Sequence, residues 1–189
     1  MPNISLSTRA TPAQERGLPV LIVGVVGFAL ALAAASQVAI PLPFTPVPIT
    51  LQPLVVVLAG FWLGPAAGAA SMVLYLIAGA AGLPVFAPMG APGAARLVGP
   101  TGGYLIAYPA AAFVAGWLIA RARTFPLRLV AASAGILVLY IGGLSQLALI
   151  TGDIERAAVL GVLPFLALDA VKAVVAALLA PKQTDRAPA

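Results

Sequence analysis

Apolar residues dominate this chain in long unbroken runs, and no charged residue stands between Arg16 and Arg96. A water-soluble fold cannot solvate such a stretch, so the bilayer has to be the solvent. The runs are continuous rather than alternating, and Gly and Pro are spread through them. That pattern excludes the period-two strands of a membrane barrel and predicts helices. Hydropathy places six of them at about 18–36, 48–63, 65–80, 103–120, 127–150 and 164–180. At about 20 residues per span, six helices use about 120 residues and leave short tails and loops. The expected fold is an all-α integral membrane protein, with residues 18–180 as one six-helix domain between tails at 1–17 and 181–189.

Charge sets the orientation. With the N-terminus in the cytoplasm, Arg9, Arg16, Arg121, Arg123, Arg128, Lys182 and Arg186 fall inside, and only Arg96 and Arg156 fall outside. The positive-inside rule favours this arrangement, with both tails cytoplasmic. Trp62 and Trp117 then sit near the cytoplasmic ends of their spans, as interfacial aromatics do. The polar first 17 residues and the downstream spans fit a first membrane helix rather than a cleaved signal peptide.

Three connections face outward, at 37–47, 81–102 and 151–163. In the first, Pro41, Pro43, Pro46 and Pro48 predict a stiff, extended, polyproline-like strap. The second is rich in Gly and Pro and carries Phe86, Met89 and Leu97. Apolar, non-helical backbone near membrane depth needs protein cover, so both loops are expected to fold over the outer mouth of the bundle as lids on a ligand pocket. The alternative is a pair of interfacial turns resting in the headgroups. In the third, Asp153 reads as the N-cap of a short surface helix, with Pro164 in the first turn of the last span.

Composition narrows the chemistry. The chain is 62% apolar and 8% charged, with no Cys and no His. Thiol nucleophiles, imidazole general bases and histidine-based metal sites are excluded, and no enzyme activity, metal or cofactor is expected. The formal charge is +5, but the basic residues lie outside the apolar runs without interleaved aromatics. They are topology signals, so lipid rather than nucleic acid is the expected surroundings.

Asp169 and Lys172 are the most informative residues, because each intramembrane charge costs roughly 2.5–3.5 kcal/mol on insertion scales. Spaced i, i+3, they share a helix face near the outer surface, where a solute could reach them. The competing explanation is an ion pair that only fixes helix register. Arg96 is the one charge in the long loop and suits an anionic ligand end, unless it serves as a headgroup-binding arginine. Gln52, just below the proline-rich strap, is the preferred uncharged candidate, while Thr50, Tyr75, Ser145 and Gln146 are expected to bond neighbouring helices. Thr101 and Tyr104 supply hydroxyls at the glycine-rich entry to the fourth helix, which reads as turn geometry before phosphate cradle. On helix one, Ala29 and Ala33 allow close approach of another helix, internal or from a partner.

Together Pro46-Val-Pro-Ile-Thr-Leu-Gln52, Leu58-Ala-Gly60 with Gly64, Gly79-Ala-Ala-Gly-Leu-Pro-Val-Phe86, Gly99-Pro-Thr-Gly-Gly-Tyr-Leu105 and Pro164-Phe-Leu with Asp169 and Lys172 form an ordered set. In this order and spacing the chain resembles the biotin-specific S components, the BioY family, of energy-coupling factor (ECF) vitamin transporters. The resemblance implies a six-helix protein of the bacterial cytoplasmic membrane that captures biotin from outside. It implies that Asp169 and Lys172 meet the ureido end and Arg96 the valerate carboxylate. It further implies a transmembrane coupling subunit driven by ATPase subunits, with Ala29 and Ala33 in the contact. The alternatives are an S component for another vitamin and a non-transporting membrane scaffold.

Overall fold

The structure is a computed structural model that describes residues 17–181. The expected tails fall outside the described residues except for Gly17 and Pro181, and with them Arg9, Arg16, Lys182 and Arg186. Each apolar segment expected to be helical contains a helix, though 48–50 of the second belongs to a strand and the last is shorter than expected. The helices are α1 (Leu18–Gln37), α2 (Gln52–Leu63), α3 (Pro65–Ala80), α4 (Gly102–Ile119), α5 (Phe125–Thr151) and, after a short α6 (Ile154–Gly161), α7 (Leu166–Leu178).

Their lengths are uneven. Helices α1, α4 and α5 are long and apolar enough to cross a membrane, and α6 with α7 would do so together as a pair bent by 56°. Helix α2 has 12 residues and α3 has 16. At 1.5 Å per residue, α2 extends only about 18 Å, short of the roughly 30 Å hydrocarbon layer. The two meet at Gly64, whose φ of 85° gives the chain its turn before Pro65 starts the next helix. This is a membrane protein by its surface as well. Leu30, Ile77, Ile106, Leu137 and Leu149 all point outward, Leu149 with 85% of its surface exposed. Only an apolar solvent leaves such side chains without a penalty.

The first outer connection departs from expectation. Instead of a polyproline strap, Ala39–Leu42 (β1) and Thr45–Thr50 (β2) pair antiparallel as a hairpin, with Ile40 opposite Ile49 and Leu42 opposite Thr45. The fold is therefore not purely helical. Pairing is irregular between Ile40 and Leu42, where Pro41 lacks the N–H a regular ladder needs. Each strand of a two-stranded ribbon has a free edge, and proline is tolerated there. Along β2, Thr45 and Val47 turn inward while Pro46 turns out.

The third connection forms the expected surface helix. Asp153 Oδ1 accepts from the N–H groups of Glu155 at 2.8 Å and Arg156 at 3.1 Å, which satisfies two free donors at the start of α6. Pro164 lies in the turn ahead of α7 rather than inside its first turn, because α7 begins at Leu166. Trp117, near the end of α4, carries the Arg121 guanidinium 4.1 Å over its ring.

Helix α1 turns Ala29 into the core formed by α2, α3 and α4, with Ala33 packed against the same cluster. Ala29 is buried in this core, while Ala33 is half-buried at its edge beside the exposed Leu30 and Ala34. Helices α4 and α5 approach closely at Gly103 and Gly142, where a side chain on Gly103 would enter the backbone carbonyl of Gly142.

Replacing Gly103 with Val should lower stability by roughly 1–3 kcal/mol through overpacking. The expected readout is a clear drop in melting temperature in detergent. Gly27→Ala on the open face of α1, where an added Cβ meets nothing, should leave it unchanged. Equal melting temperatures for the two variants would contradict the assigned α4–α5 contact.

Candidate substrate-binding site

Beneath the hairpin and the long second loop lies a cavity of about 70 Å³. Its lining draws on β2, α2, the loop, α4, α5 and α7, so the site is assembled from most of the chain. All six residues singled out from the sequence, Gln52, Arg96, Thr101, Tyr104, Asp169 and Lys172, line it.

The charged floor comes from α7. Asp169 and Lys172 are 5% and 8% exposed, and Lys172 Nζ lies 2.6 Å from Asp169 Oδ1. Helical spacing of i, i+3 brings the two groups together. The other carboxylate oxygen is also engaged, since the Tyr140 hydroxyl of α5 donates to Asp169 Oδ2 at 2.6 Å. An ionised carboxylate offers about four lone-pair sites, so acceptor capacity remains for a ligand donor.

The roof is held by side chains reaching upward from the bundle. Ser36 donates to the Val85 carbonyl at 2.6 Å, and Gln37 Nε2 to that of Phe86 at 3.2 Å. Phe86 turns down onto Tyr75, ring edge to ring face at 5.4 Å. The far end of the loop carries a short 3₁₀ turn, Gly93–Val98, tied to α5 by Gln146, whose Nε2 donates to the Leu97 and Gly99 carbonyls at 2.9 and 2.7 Å. The loop is thus the protein-covered lid expected of apolar irregular backbone. Glycines at 102 and 103 serve close packing and the helix entry, as expected, and no phosphate cradle is needed to explain them.

Arg96 sits in that 3₁₀ turn with 8% of its surface exposed. Its two terminal nitrogens donate to the backbone carbonyls of Ala87 and Met89, drawing the loop around the guanidinium. Burial lowers its pKa from the ordinary value, yet a guanidinium stays charged at any physiological pH. Arg96 Nε is buried without a protein partner. Among the described residues the Asp169–Lys172 contact is the one ion pair, so this cation has no carboxylate of its own.

Gln52 is buried, with both ends of its amide engaged. Its Nε2 donates to the Tyr75 hydroxyl at 2.9 Å, and its Oε1 accepts from Thr50 at 3.2 Å. This links the base of β2 to α3 beneath the cavity wall. Tyr104 crosses from α4 to donate to the Gly161 carbonyl at the end of α6. Its ring lies against Gly143, where a side chain would collide with it.

The fold and the sequence are similar to those of known proteins. The sequence profile of the BioY family matches residues 8–189. A protein of Pyrococcus horikoshii named probable biotin transporter BioY is 46% identical over 135 residues, covering 71% of this chain and 79% of that one. The chain belongs to the BioY family. The biotin transporter BioY of Thermotoga maritima is 42% identical over 141 residues, or 75% of this chain and 83% of the relative. The crystal structure of the S-component for biotin from an ECF-type ABC transporter superposes with a TM-score of 0.79 at 26% identity, covering 90% of this chain and 92% of that one.

Within this BioY fold the sequence pointed to the charged residues but missed Tyr140, Tyr108 and Phe165, which also line the cavity. Aromatic rings in apolar helices read as core or belt, and Tyr140 has its partner 29 residues away. A tyrosine on the helix opposite an intramembrane acid is the signal that could have found it.

Arg96→Gln removes the clasp on the Ala87 and Met89 carbonyls. Amide hydrogen exchange should accelerate across residues 86–98 while α4 stays protected. Unchanged exchange in the loop would mean that Arg96 does not hold the lid.

Proposed function

We propose that this chain is the biotin-capturing S component of an ECF transporter, taking its ligand from the outer face. One observation carries the reading: a single cavity gathers an intramembrane acid–base pair, a carboxylate-free guanidinium and an apolar lining. Biotin has the complementary parts. Its ureido N–H groups suit the free lone pairs of Asp169, its ureido oxygen suits the Lys172 ammonium, and its carboxylate suits Arg96. The unpartnered Nε–H of Arg96 and the second N–H of a terminal nitrogen are the donors left for two parallel bonds to such a carboxylate. Phe86, Leu139 and Phe165 offer cover for the ring system.

The cavity is narrow, though partly open to the outside. Ligand pockets ordinarily measure roughly 300–1,000 Å³, several times the space present here. Entry of biotin then requires the hairpin or the loop to move outward. Six spans are proposed, with α2 and α3 as short spans, α3 turning Val73, Leu74 and Ile77 toward lipid, and α6–α7 forming one bent span. Arg121, Arg123 and Arg128 mark the cytoplasmic side and Arg96 and Arg156 the outer side of the bacterial inner membrane. Uptake would draw its energy from a transmembrane coupling subunit with ATPase subunits, for which the small-residue edge of α1 at Ala33, next to the buried Ala29, is the proposed contact.

Calorimetric titration of the purified chain in detergent tests the reading. Biotin should bind saturably and thiamin and riboflavin should not. Asp169→Asn and Arg96→Ala should each weaken biotin by at least about tenfold, since each removes a charge-assisted hydrogen bond worth roughly 1.5–3 kcal/mol. Folded wild-type protein that ignores biotin would sink the assignment and move the search to other vitamins or to a scaffold role.

A further inference from the structure

A carboxylate on a short side chain turns easily, because the terminal torsion of aspartate is broad and roughly two-fold. Lys172 alone leaves that freedom, since it is bonded to one oxygen and rides on the same helix as Asp169. The second oxygen is held from a different element. Tyr140, in the middle of the unbroken helix α5, donates to Oδ2 at 2.6 Å, and its neighbour Leu139 is buried in the core. One donor per oxygen, from two helices, sets the plane of the carboxylate. Tyr140 and Asp169 both line the cavity, so the carboxylate and the hydroxyl that holds it border the space where a ligand would sit.

We propose that Tyr140 is a positioning residue of the binding site, fixing the Asp169 carboxylate so that its remaining lone pairs accept from a ligand N–H. This rests on the biotin-capture reading and deepens it, because it makes selection for an N–H donor depend on α5 as well as α7. Tyr140 acts through Asp169. Removing its hydroxyl lets the carboxylate turn off axis, which weakens ligands that present an N–H there and spares ligands that do not.

Tyr140→Phe keeps the ring and removes only the donor. Biotin affinity should fall about tenfold, the scale of one charge-assisted hydrogen bond. Two readouts separate positioning from packing. In a double-mutant cycle, Tyr140→Phe should cost less than about twofold once Asp169→Asn is present, because the residue it acts through is altered. For chains in which Asp169→Asn abolishes binding altogether, biotin methylated at each ureido nitrogen in turn gives the same information. Against the analogue blocked at the nitrogen facing Asp169, Tyr140→Phe should cost little, while against the other it should cost about as much as for biotin. Equal loss for biotin and both analogues, or equal loss in both backgrounds of the cycle, would overturn the inference and leave Tyr140 as a packing residue. So would full biotin affinity in Tyr140→Phe. Wild-type protein that binds no biotin would instead overturn the capture reading on which the inference stands.

Discussion

The arrangement depends on the ion pair between Asp169 and Lys172, held at 2.6 Å inside a bundle whose outer surface is apolar. Inserting two charges into a membrane helix is unfavourable by several kcal/mol, and their mutual attraction offsets this only with good geometry and further hydrogen bonds. Here the further bond comes from Tyr140, and both residues line the cavity. An apolar pair of similar size would serve the fold as well or better. The proposed capture of a ligand gives the charges a use that the fold alone does not.

Around that pair the structure solves a second problem, covering irregular apolar backbone at the outer mouth. The hairpin is anchored where Thr45 donates to the Leu160 carbonyl at 2.6 Å, next to the Gly161 carbonyl that receives Tyr104. These are carbonyls at the end of α6, where the helix breaks and lacks its own donors. The long loop is held by Ser36, Gln37 and Gln146 from below and gathered by Arg96 from within. Hydroxyl and amide groups scattered through apolar helices therefore serve mainly as fasteners. Helix pairing relies instead on small residues, as at Gly103 and Gly142.

Much of this was legible in the sequence, for a physical reason. A bilayer imposes continuous apolar runs, so the six long segments stood out, and a rare intramembrane charge pair marked the site. All six expected cavity residues meet in one cavity. Features that depend on pairing between distant residues were not legible. Four prolines argued against a strand ladder, and only the free edges of a two-stranded ribbon made the hairpin possible. The burial of Ala29 depended on which of the chain's helices approached it. Tyr140 looked like any apolar ring until α7 was placed beside it. Arg96 was expected to await a ligand anion, and its use of loop carbonyls could not be read from a sequence in which every residue has a carbonyl.

The most direct measurement replaces the pair as a unit, Asp169→Leu together with Lys172→Met, and records both melting temperature and biotin affinity in detergent. If the charges serve capture rather than folding, the double variant remains folded with a melting temperature equal to or above wild type and has lost biotin binding. A folded double variant that still binds biotin with wild-type affinity would contradict the account at its centre.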